Sequence, residues 1–183
     1  MPIQNSFVSN ILCYTTKPNI LPIFLKFLYS NADLRFTILT DLFAVDFPER
    51  EERFEMVYSL LSLKLNKRII IKINIKEGCS VSSIHSIYPA ACWYEREAFD
   101  MFGITFEGAS DHRRILTDYG FVGHPLRKDF PLSGHLQVKY DEKLEKVVYE
   151  PVLLEQEFRN FDFTSPWLGP NEIKLPGDEK ATK

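Results

Sequence analysis

The chain has 183 residues, the length of one globular domain with some additional chain. Its net charge is −3, from 22 Lys and Arg against 25 Asp and Glu, which gives no global electrostatic reason to expect a nucleic-acid or anionic-membrane surface. The three cysteines, Cys13, Cys79 and Cys92, are scattered and none is spaced C-x-x-C, which argues against a disulfide framework and against an iron–sulfur cluster or structural zinc held by this chain alone.

The first predicted element is a short helix over Pro18–Ser30. Its apolar residues follow helical spacing: Leu21, Phe24, Leu25 and Leu28. Proline near the first turn is compatible with this start, because its missing N–H would be unpaired there in any case. The apolar stretch Ile20–Tyr29 is interrupted by Lys26 and is far shorter than the roughly 20 residues that span a bilayer.

Three extended segments come next, and the last two are predicted to form a hairpin. Leu34–Phe47 is rich in aromatic and β-branched residues and stops at a proline, which predicts a strand. Arg53–Lys64 fits either a helical face or a strand face, but the isoleucines of Ile69–Ile75 alternate with period two after a turn-like Asn66-Lys67. Because a hairpin buries more than an orphan strand, both segments are predicted to be strands.

The pattern changes after Gly78. The serines Ser80, Ser82 and Ser83 are predicted to cap a short helical turn that ends near Pro89. Ala90–Phe102 then reads as a helix that ends at Gly103.

Glycine and proline recur throughout the segment from Gly103 to Gly134, which predicts a long structured connection without helices or strands. Leu136–Tyr140 and Lys146–Pro151 are predicted to form a late hairpin, and the last fourteen residues are polar and expected to be loose. Several aromatic residues lie in segments too irregular to bury them all, so some are expected to anchor another protein: Phe121, Phe130, Phe158, Phe161, Phe163 and Trp167.

A dense charged constellation lies on and after the helix Ala90–Phe102. Four charged side chains fall within two helical turns: Glu95, Arg96, Glu97 and Asp100. Six more polar side chains follow in the Gly/Pro-rich segment: Arg113, Arg114, His124, Arg127, Lys128 and Asp129. Arg96 and Asp100, at i and i+4, can pair directly. Guanidinium groups match carboxylates bidentately, so the basic group is expected to pin this segment against the helix.

Three chemical interpretations of this constellation stay open. The first is a network of structural ion pairs or of contacts with other subunits, which the near balance of acids and bases favours. The second is acid/base catalysis by a free-standing enzyme, using Glu97 or Asp100 with His112 or His124. The third is a metal site built from the same two histidines and a carboxylate, which the ligand spacing does not support.

The order of motifs resembles one known family. The motifs are E-R-E-A-F-D-M-F-G-I at Glu95–Ile104, R-R-I-L-T-D-Y-G-F at Arg113–Phe121, G-H-P-L-R-K-D-F-P-L-S-G at Gly123–Gly134, V-V-Y-E-P-V at Val147–Val152 and Q-E-F-R-N-F-D-F-T-S-P-W at Gln156–Trp167. They resemble the thirty-kilodalton subunit, also called subunit nine, of respiratory NADH:ubiquinone oxidoreductase, complex I. The motifs T-D-Y-G-F and K-D-F-P-L-S-G resemble the mitochondrial or α-proteobacterial branch of this family more than the plastid branch.

One segment departs from the family pattern. After Phe106-Glu107-Gly108 the family usually has His-Pro-Asp-Leu, whereas this chain has Ala109, Ser110, Asp111 and His112. The family histidine is therefore missing, and His112 stands where an apolar residue is expected.

The resemblance implies an α+β fold, with a small antiparallel or mixed sheet and flanking helices, followed by a long irregular C-terminal extension packed on partner subunits. The expected organisation is an α+β domain at 1–104, a partner-wrapping segment with a late hairpin at 105–168, and a polar tail at 169–183.

The resemblance also implies a role without chemistry of its own. Members are core structural subunits of the peripheral-arm quinone module, and neighbouring subunits bind NAD, FMN, iron–sulfur clusters and ubiquinone. The expected partners are the large quinone-site subunit and the adjacent cluster-bearing subunit, with no nucleic acid. The expected location is the matrix side of the mitochondrial inner membrane, or the cytoplasmic membrane of a bacterium, reached only through the complex.

Overall fold

The computed structural model describes residues 3–8, 11–156 and 158–159. Its elements in chain order are β1 (Ile3–Val8), β2 (Ile11–Thr16), α1 (Leu21–Ser30), β3 (Ile38–Asp46), β4 (Phe54–Ser62), β5 (Lys67–Ile75), β6 (Ser80–Ser82), α2 (Ala91–Phe102), β7 (Thr105–Glu107), β8 (Leu136–Asp141) and β9 (Lys146–Pro151). The chain divides into two compact units, Met1–His135 and Leu136–Lys183. The predicted polar tail and most of the Gln156–Trp167 motif, including Phe161, Phe163 and Trp167, lie outside the described residues.

The first unit is built on a five-stranded mixed sheet with the order β1-β2-β5-β4-β3. Neighbouring strands are antiparallel except β2 and β5, which run parallel. The predicted β4–β5 hairpin is confirmed, with Phe54 opposite Ile75 and Ser62 opposite Lys67. The predicted strand at Leu34–Phe47 begins only at Ile38, because the preceding turn is fixed by the side chain of Asn31, which accepts from the backbone N–H of Asp33.

One face of the sheet carries the core. The isoleucines at 69, 71, 73 and 75 are at most 4% exposed, as their period-two spacing requires. Both helices cover this face: Phe24 of α1 packs edge-on against Tyr14, and Phe102 of α2 packs edge-on against Phe54. Burying each such side chain stabilises the fold by about 1.5–3 kcal/mol.

The predicted helical turn after Gly78 is wrong in its first part. Ser80–Ser82 is a short strand, β6, which pairs in parallel with β7, an element that the sequence did not predict. Alternation explains the error, because Val81 points inward and is 1% exposed between two serines that lie further out. A turn does follow, in which the Tyr88 N–H donates to the Ile84 carbonyl.

The prediction for α2 is confirmed. Gly103 ends the helix in the left-handed region with φ of 77°, and its N–H donates to the Phe99 carbonyl at 2.8 Å. The second unit contains the predicted late hairpin, β8 paired antiparallel with β9. The α+β class with a mixed sheet is therefore confirmed. In the part of the chain that the structure describes, no helix is both long and apolar enough to cross a membrane.

Candidate functional site

The predicted charged residues of α2 lie on opposite sides of the helix. Glu95 is 2% exposed and Asp100 is fully buried, whereas Glu97 and the neighbouring Trp93 face solvent. The guanidinium of Arg96 lies 5.2 Å from the ring centroid of Trp93. Because the helical repeat is 3.6 residues, a run of charges this dense presents one part to the core and another to the surface.

Asp100 organises the segment that follows the helix. Its Oδ2 accepts from three consecutive backbone N–H groups, those of Ile115, Leu116 and Thr117, at 3.1, 2.8 and 2.9 Å. Its Oδ1 accepts from Arg114 Nη1 at 2.8 Å and from the Thr117 hydroxyl. Burial alone would raise the pKa of this carboxyl, but the hydrogen bonds outweigh it and hold the pKa of Asp100 far below its usual range.

Arg96 does not form the direct pair with Asp100 that their i, i+4 spacing would allow. Arg96 instead donates from Nε to the carbonyl of Arg113 at 2.9 Å and from Nη2 to the carbonyl of Arg114 at 3.1 Å. It also forms an ion pair with Asp111 at 3.4 Å. The carboxylate of Asp100 is already bonded to backbone N–H groups and to Arg114, so Arg96 does not pair with it although it lies only one helical turn away.

Asp111 lies in the segment Ala109–His112, between β7 and the arginine pair. Its carboxylate receives the guanidinium of Arg113 at 2.7 Å and that of Arg96 at 3.4 Å. The hydrogen bond from Arg113 holds the pKa of Asp111 below its usual range. His112 contacts the Phe106 carbonyl oxygen through Nε2 at 3.3 Å.

A second group of contacts holds the backbone beside Gly103. The Nδ1 of His124 lies 3.0 Å from the carbonyl oxygen of Asp100, and Arg127 donates from Nε to the Phe102 carbonyl at 2.5 Å. A Cβ on Gly103 would lie 2.6 Å from the His124 ring and 2.7 Å from the Arg127 guanidinium. Glycine is therefore required there for the close approach as well as for its positive φ.

Lys128 and Asp129 lie at the end of the sheet, beside residues that the sequence patterns did not single out. The backbone N–H of Lys128 donates to Asp46 at 2.8 Å, and Arg53 bonds Asp46 through two nitrogens at 2.7 and 2.9 Å. Arg53 also pairs with Asp129 at 3.1 Å. The hydrogen bond from Arg53 is the main cause that lowers the pKa of Asp46. A sequence signal existed, because the alternation of β3 places Asp46 on the buried face.

Glu95 is buried, and it has no ion-pair partner among the residues that the structure describes. Its Oε1 accepts from the Ile84 N–H at 2.8 Å and its Oε2 from the Ser83 hydroxyl at 2.6 Å. The Ser83 oxygen also lies 2.9 Å from Nδ1 of His85. Burial raises the pKa of Glu95, while these hydrogen bonds act in the opposite direction. The carboxyl thus ties the turn after β6 to α2.

This geometry does not support a free-standing acid/base enzyme. The Asp100 carboxylate is saturated with donors, and Glu97 is exposed. His112 and His124 are each directed at a backbone carbonyl. Two surface grooves of about 410 and 440 Å³ are lined by other residues. Within the described ranges, no group of three or more His, Cys, Asp or Glu could hold a metal ion.

Comparison with known proteins decides the family. Residues 14–136 match the model of the respiratory-chain NADH dehydrogenase 30 kDa subunit. The chain belongs to this family. It is 61% identical to the C subunit of the NADH-quinone oxidoreductase of Rickettsia felis, over 96% of this chain and 84% of the relative. The corresponding protein of Rhodobacter capsulatus is 56% identical, over 98% of this chain and 90% of the relative.

These findings confirm the resemblance read from the motifs, including its α-proteobacterial type. The protein functions as a subunit of the NADH–quinone oxidoreductase, and its enzymatic classification applies at the level of that complex.

Proposed function

We propose that the protein is a core structural and assembly subunit of the peripheral-arm quinone module, without a redox centre of its own. NAD, FMN, iron–sulfur clusters and ubiquinone are then bound by neighbouring subunits, and the protein reaches the membrane only through them. The scattered cysteines support this role, because Cys13, Cys79 and Cys92 lack the spacing of a thiolate cluster. The location follows the complex: the bacterial cytoplasmic membrane, or the matrix side of the mitochondrial inner membrane.

The hairpin of the second unit carries the proposal. One of its faces is entirely apolar and consists of Leu136, Val138, Tyr140, Val147, Tyr149 and Pro151, in which 136 faces 151, 138 faces 149, and 140 faces 147. The five of these residues other than the proline are each 56–63% exposed. The opposite face carries polar residues such as Gln137 and Glu150, which are hydrogen-bonded at 2.6 Å.

A two-stranded hairpin is only marginally stable by itself, and a contiguous exposed apolar face marks an interaction surface. The Gly/Pro-rich segment supports the same role, because it exposes large apolar side chains at Leu116, Tyr119, Val122 and Leu132. We assign the segment 105–168 a partner-wrapping role on these grounds. The expected partners are the large quinone-site subunit and the adjacent cluster-bearing subunit.

The charged residues divide between two roles in this proposal. Asp100, Arg114, Arg96, His124 and Arg127 hold the first unit together internally, as do Glu95 and the backbone of Lys128. The exposed groups of Glu97, Arg113 and Asp129, with the Lys128 side chain, are the candidates for contacts with other subunits.

A pair of matched double variants tests the proposal. Replacing Val138 and Tyr149 by serine removes two opposed side chains of the apolar face, and replacing Gln137 and Glu150 by serine does the same on the polar face. Interface anchors are worth about 1–2 kcal/mol each, so the apolar-face variant is expected to lower incorporation into the large complex by about tenfold or more.

Native electrophoresis of solubilised membranes measures the incorporation, with the free 21.3 kDa protein as the alternative species. The polar-face variant should assemble normally. Equal incorporation of the two double variants would contradict the proposed use of the hairpin. A visible redox absorbance or NADH oxidation by the purified protein alone would contradict the role without a redox centre.

A further inference from the structure

A groove of about 410 Å³ lies between the end of α1 and the β4–β5 turn, away from the residues discussed above. It is lined by Tyr29, Ser30, Arg35, Thr37, Leu63 and Lys64. The two charged residues of this lining are both cations. A ligand complementary to this groove therefore carries a negative charge.

Arg35 has an unusual backbone conformation for its residue type. Its φ is 46°, in the left-handed region that glycine and asparagine occupy at lower cost. The conformation is fixed by the Arg35 N–H, which donates to the Asn31 carbonyl at 3.0 Å, and by the Phe36 N–H, which donates to the Leu28 carbonyl at 3.1 Å. Arg35 therefore places a long cationic side chain at a backbone position that is strained for it, and strained positions of this kind cluster at functional sites.

The guanidinium of Arg35 has no side-chain partner in the described part of the protein. Lys64 is held in place by donating from Nζ to the Ala32 carbonyl at 2.7 Å, and its nearest carboxylate, Asp33, is 4.0 Å away and almost fully exposed. Lys67 and Arg68, the first two residues of β5, follow this turn and are exposed. The groove lining thus carries two cations, Arg35 and Lys64, in a protein whose net charge is −3.

Apolar surface adjoins these cations. Leu63 is 70% exposed and Tyr29 is 41% exposed. A small inorganic anion would leave both uncovered and would fill little of the groove. An acidic side chain beside an apolar one in an extended polypeptide satisfies the charge and the apolar wall together.

We propose that this groove binds an acidic segment of another subunit of the same complex. Arg35 binds an Asp or Glu carboxylate bidentately, Lys64 contacts it as a second cation, and a neighbouring apolar side chain packs on Leu63 and Tyr29. The inference rests on the proposed function only in taking the occupant from that complex.

Photo-crosslinking in the assembled complex tests the proposal. A benzoylphenylalanine at position 63 (Leu63→p-benzoylphenylalanine) is irradiated in membranes, and the adduct is identified by peptide mass spectrometry. The expected product joins position 63 to a segment of another subunit that carries Asp or Glu within about three residues, the reach of one extended stretch of roughly 10 Å.

Arg35→Gly in the same background is expected to lower the adduct yield about tenfold, because it removes a charge-assisted contact. Glycine suits the backbone at 35, so the variant keeps its fold. Asn66→Gly is the matched control, since Asn66 also has a positive φ, of 50°, and its replacement removes no charge. The control should leave the yield unchanged.

An adduct with lipid, an adduct with a segment that lacks acidic residues, or an unchanged yield in Arg35→Gly would overturn the proposal. Absence of any adduct with another subunit while the protein migrates with the large complex would also overturn it and leave the proposed function standing. If the unsubstituted protein did not migrate with the complex, the proposed function would fail, and the source of the partner with it.

Discussion

Asp100→Asn is the most informative single change, because it keeps the shape of a fully buried side chain and removes its charge. The amide oxygen can take the place of Oδ2 and accept from the backbone N–H groups at 115–117. The amide nitrogen must then stand where Oδ1 stood, 2.8 Å from Nη1 of Arg114. Two donors would face each other there, whereas the Thr117 hydroxyl can rotate to accept.

The loss can be estimated from these contacts. A hydrogen bond to a charged group contributes about 1.5–3 kcal/mol, and three backbone bonds that become neutral lose a few tenths each. The Arg114 side chain is 21% exposed and keeps its bonds to the Gly123 carbonyl, so it is not stranded completely. The expected fall in the free energy of unfolding is about 3 kcal/mol, at the lower end of the range for breaking a buried pair.

Urea unfolding of the 183-residue protein at pH 7, followed by far-ultraviolet circular dichroism, measures the change. The corresponding shift of the melting temperature is about 6–12 °C for a protein of this size. Asp111→Asn is the matched control: it also removes a carboxylate bound by arginines, but Asp111 is partly exposed, so its loss should be much smaller. If Asp100→Asn were no more destabilising than Asp111→Asn, the assignment of Asp100 as the organiser of the 114–117 turn would be refuted.

Three further outcomes are expected. The folded-state pKa of Asp100 is lowered, so the unfolded state takes up a proton first as the pH falls; stability should decline below about pH 4, and urea titrations should show a flatter acid limb in Asp100→Asn. Gly103→Ala should lower the free energy of unfolding by about 2–3 kcal/mol, and Gly108→Ala by about 1 kcal/mol. Both glycines have a positive φ, but of the two only Gly103 has other atoms where a Cβ would lie. Equal losses in the two variants would contradict the packing argument. Burial raises the pKa of Glu95, so the ionised carboxylate destabilises the folded state increasingly as the pH rises above the ordinary pKa of 4.5. Glu95→Gln should therefore match or exceed the wild-type stability at pH 8 and lose that advantage at pH 4. A variant destabilised at both pH values would contradict this explanation.

Local patterns were enough for several elements. The β4–β5 hairpin and the late β8–β9 hairpin join neighbouring segments through short turns, so period-two alternation and turn residues predict them. The end of α2 follows from one glycine. The motifs between Glu95 and Gly134 were equally local, and they carried the resemblance to the family.

Pairings between distant parts of the sequence were not predicted. Strand β2 lies parallel to β5, more than fifty residues away, and β6 pairs with β7 across the whole of α2. The residues of β6 and β7 show no strong strand pattern, because each strand has only three residues. Their extended conformation depends on pairing with each other.

The charged constellation shows the same division. Composition and spacing alone indicated that basic side chains would meet the acidic helix, because opposite charges and bidentate geometry favour it. Only the tertiary structure decided that Asp100 binds Arg114 and three backbone N–H groups, while Arg96 binds Asp111 and two carbonyls. Every residue other than proline carries the same backbone donor and acceptor, so the sequence does not indicate which backbone groups bind a buried charge. The partner depends on which turn lies next to that charge in the folded protein.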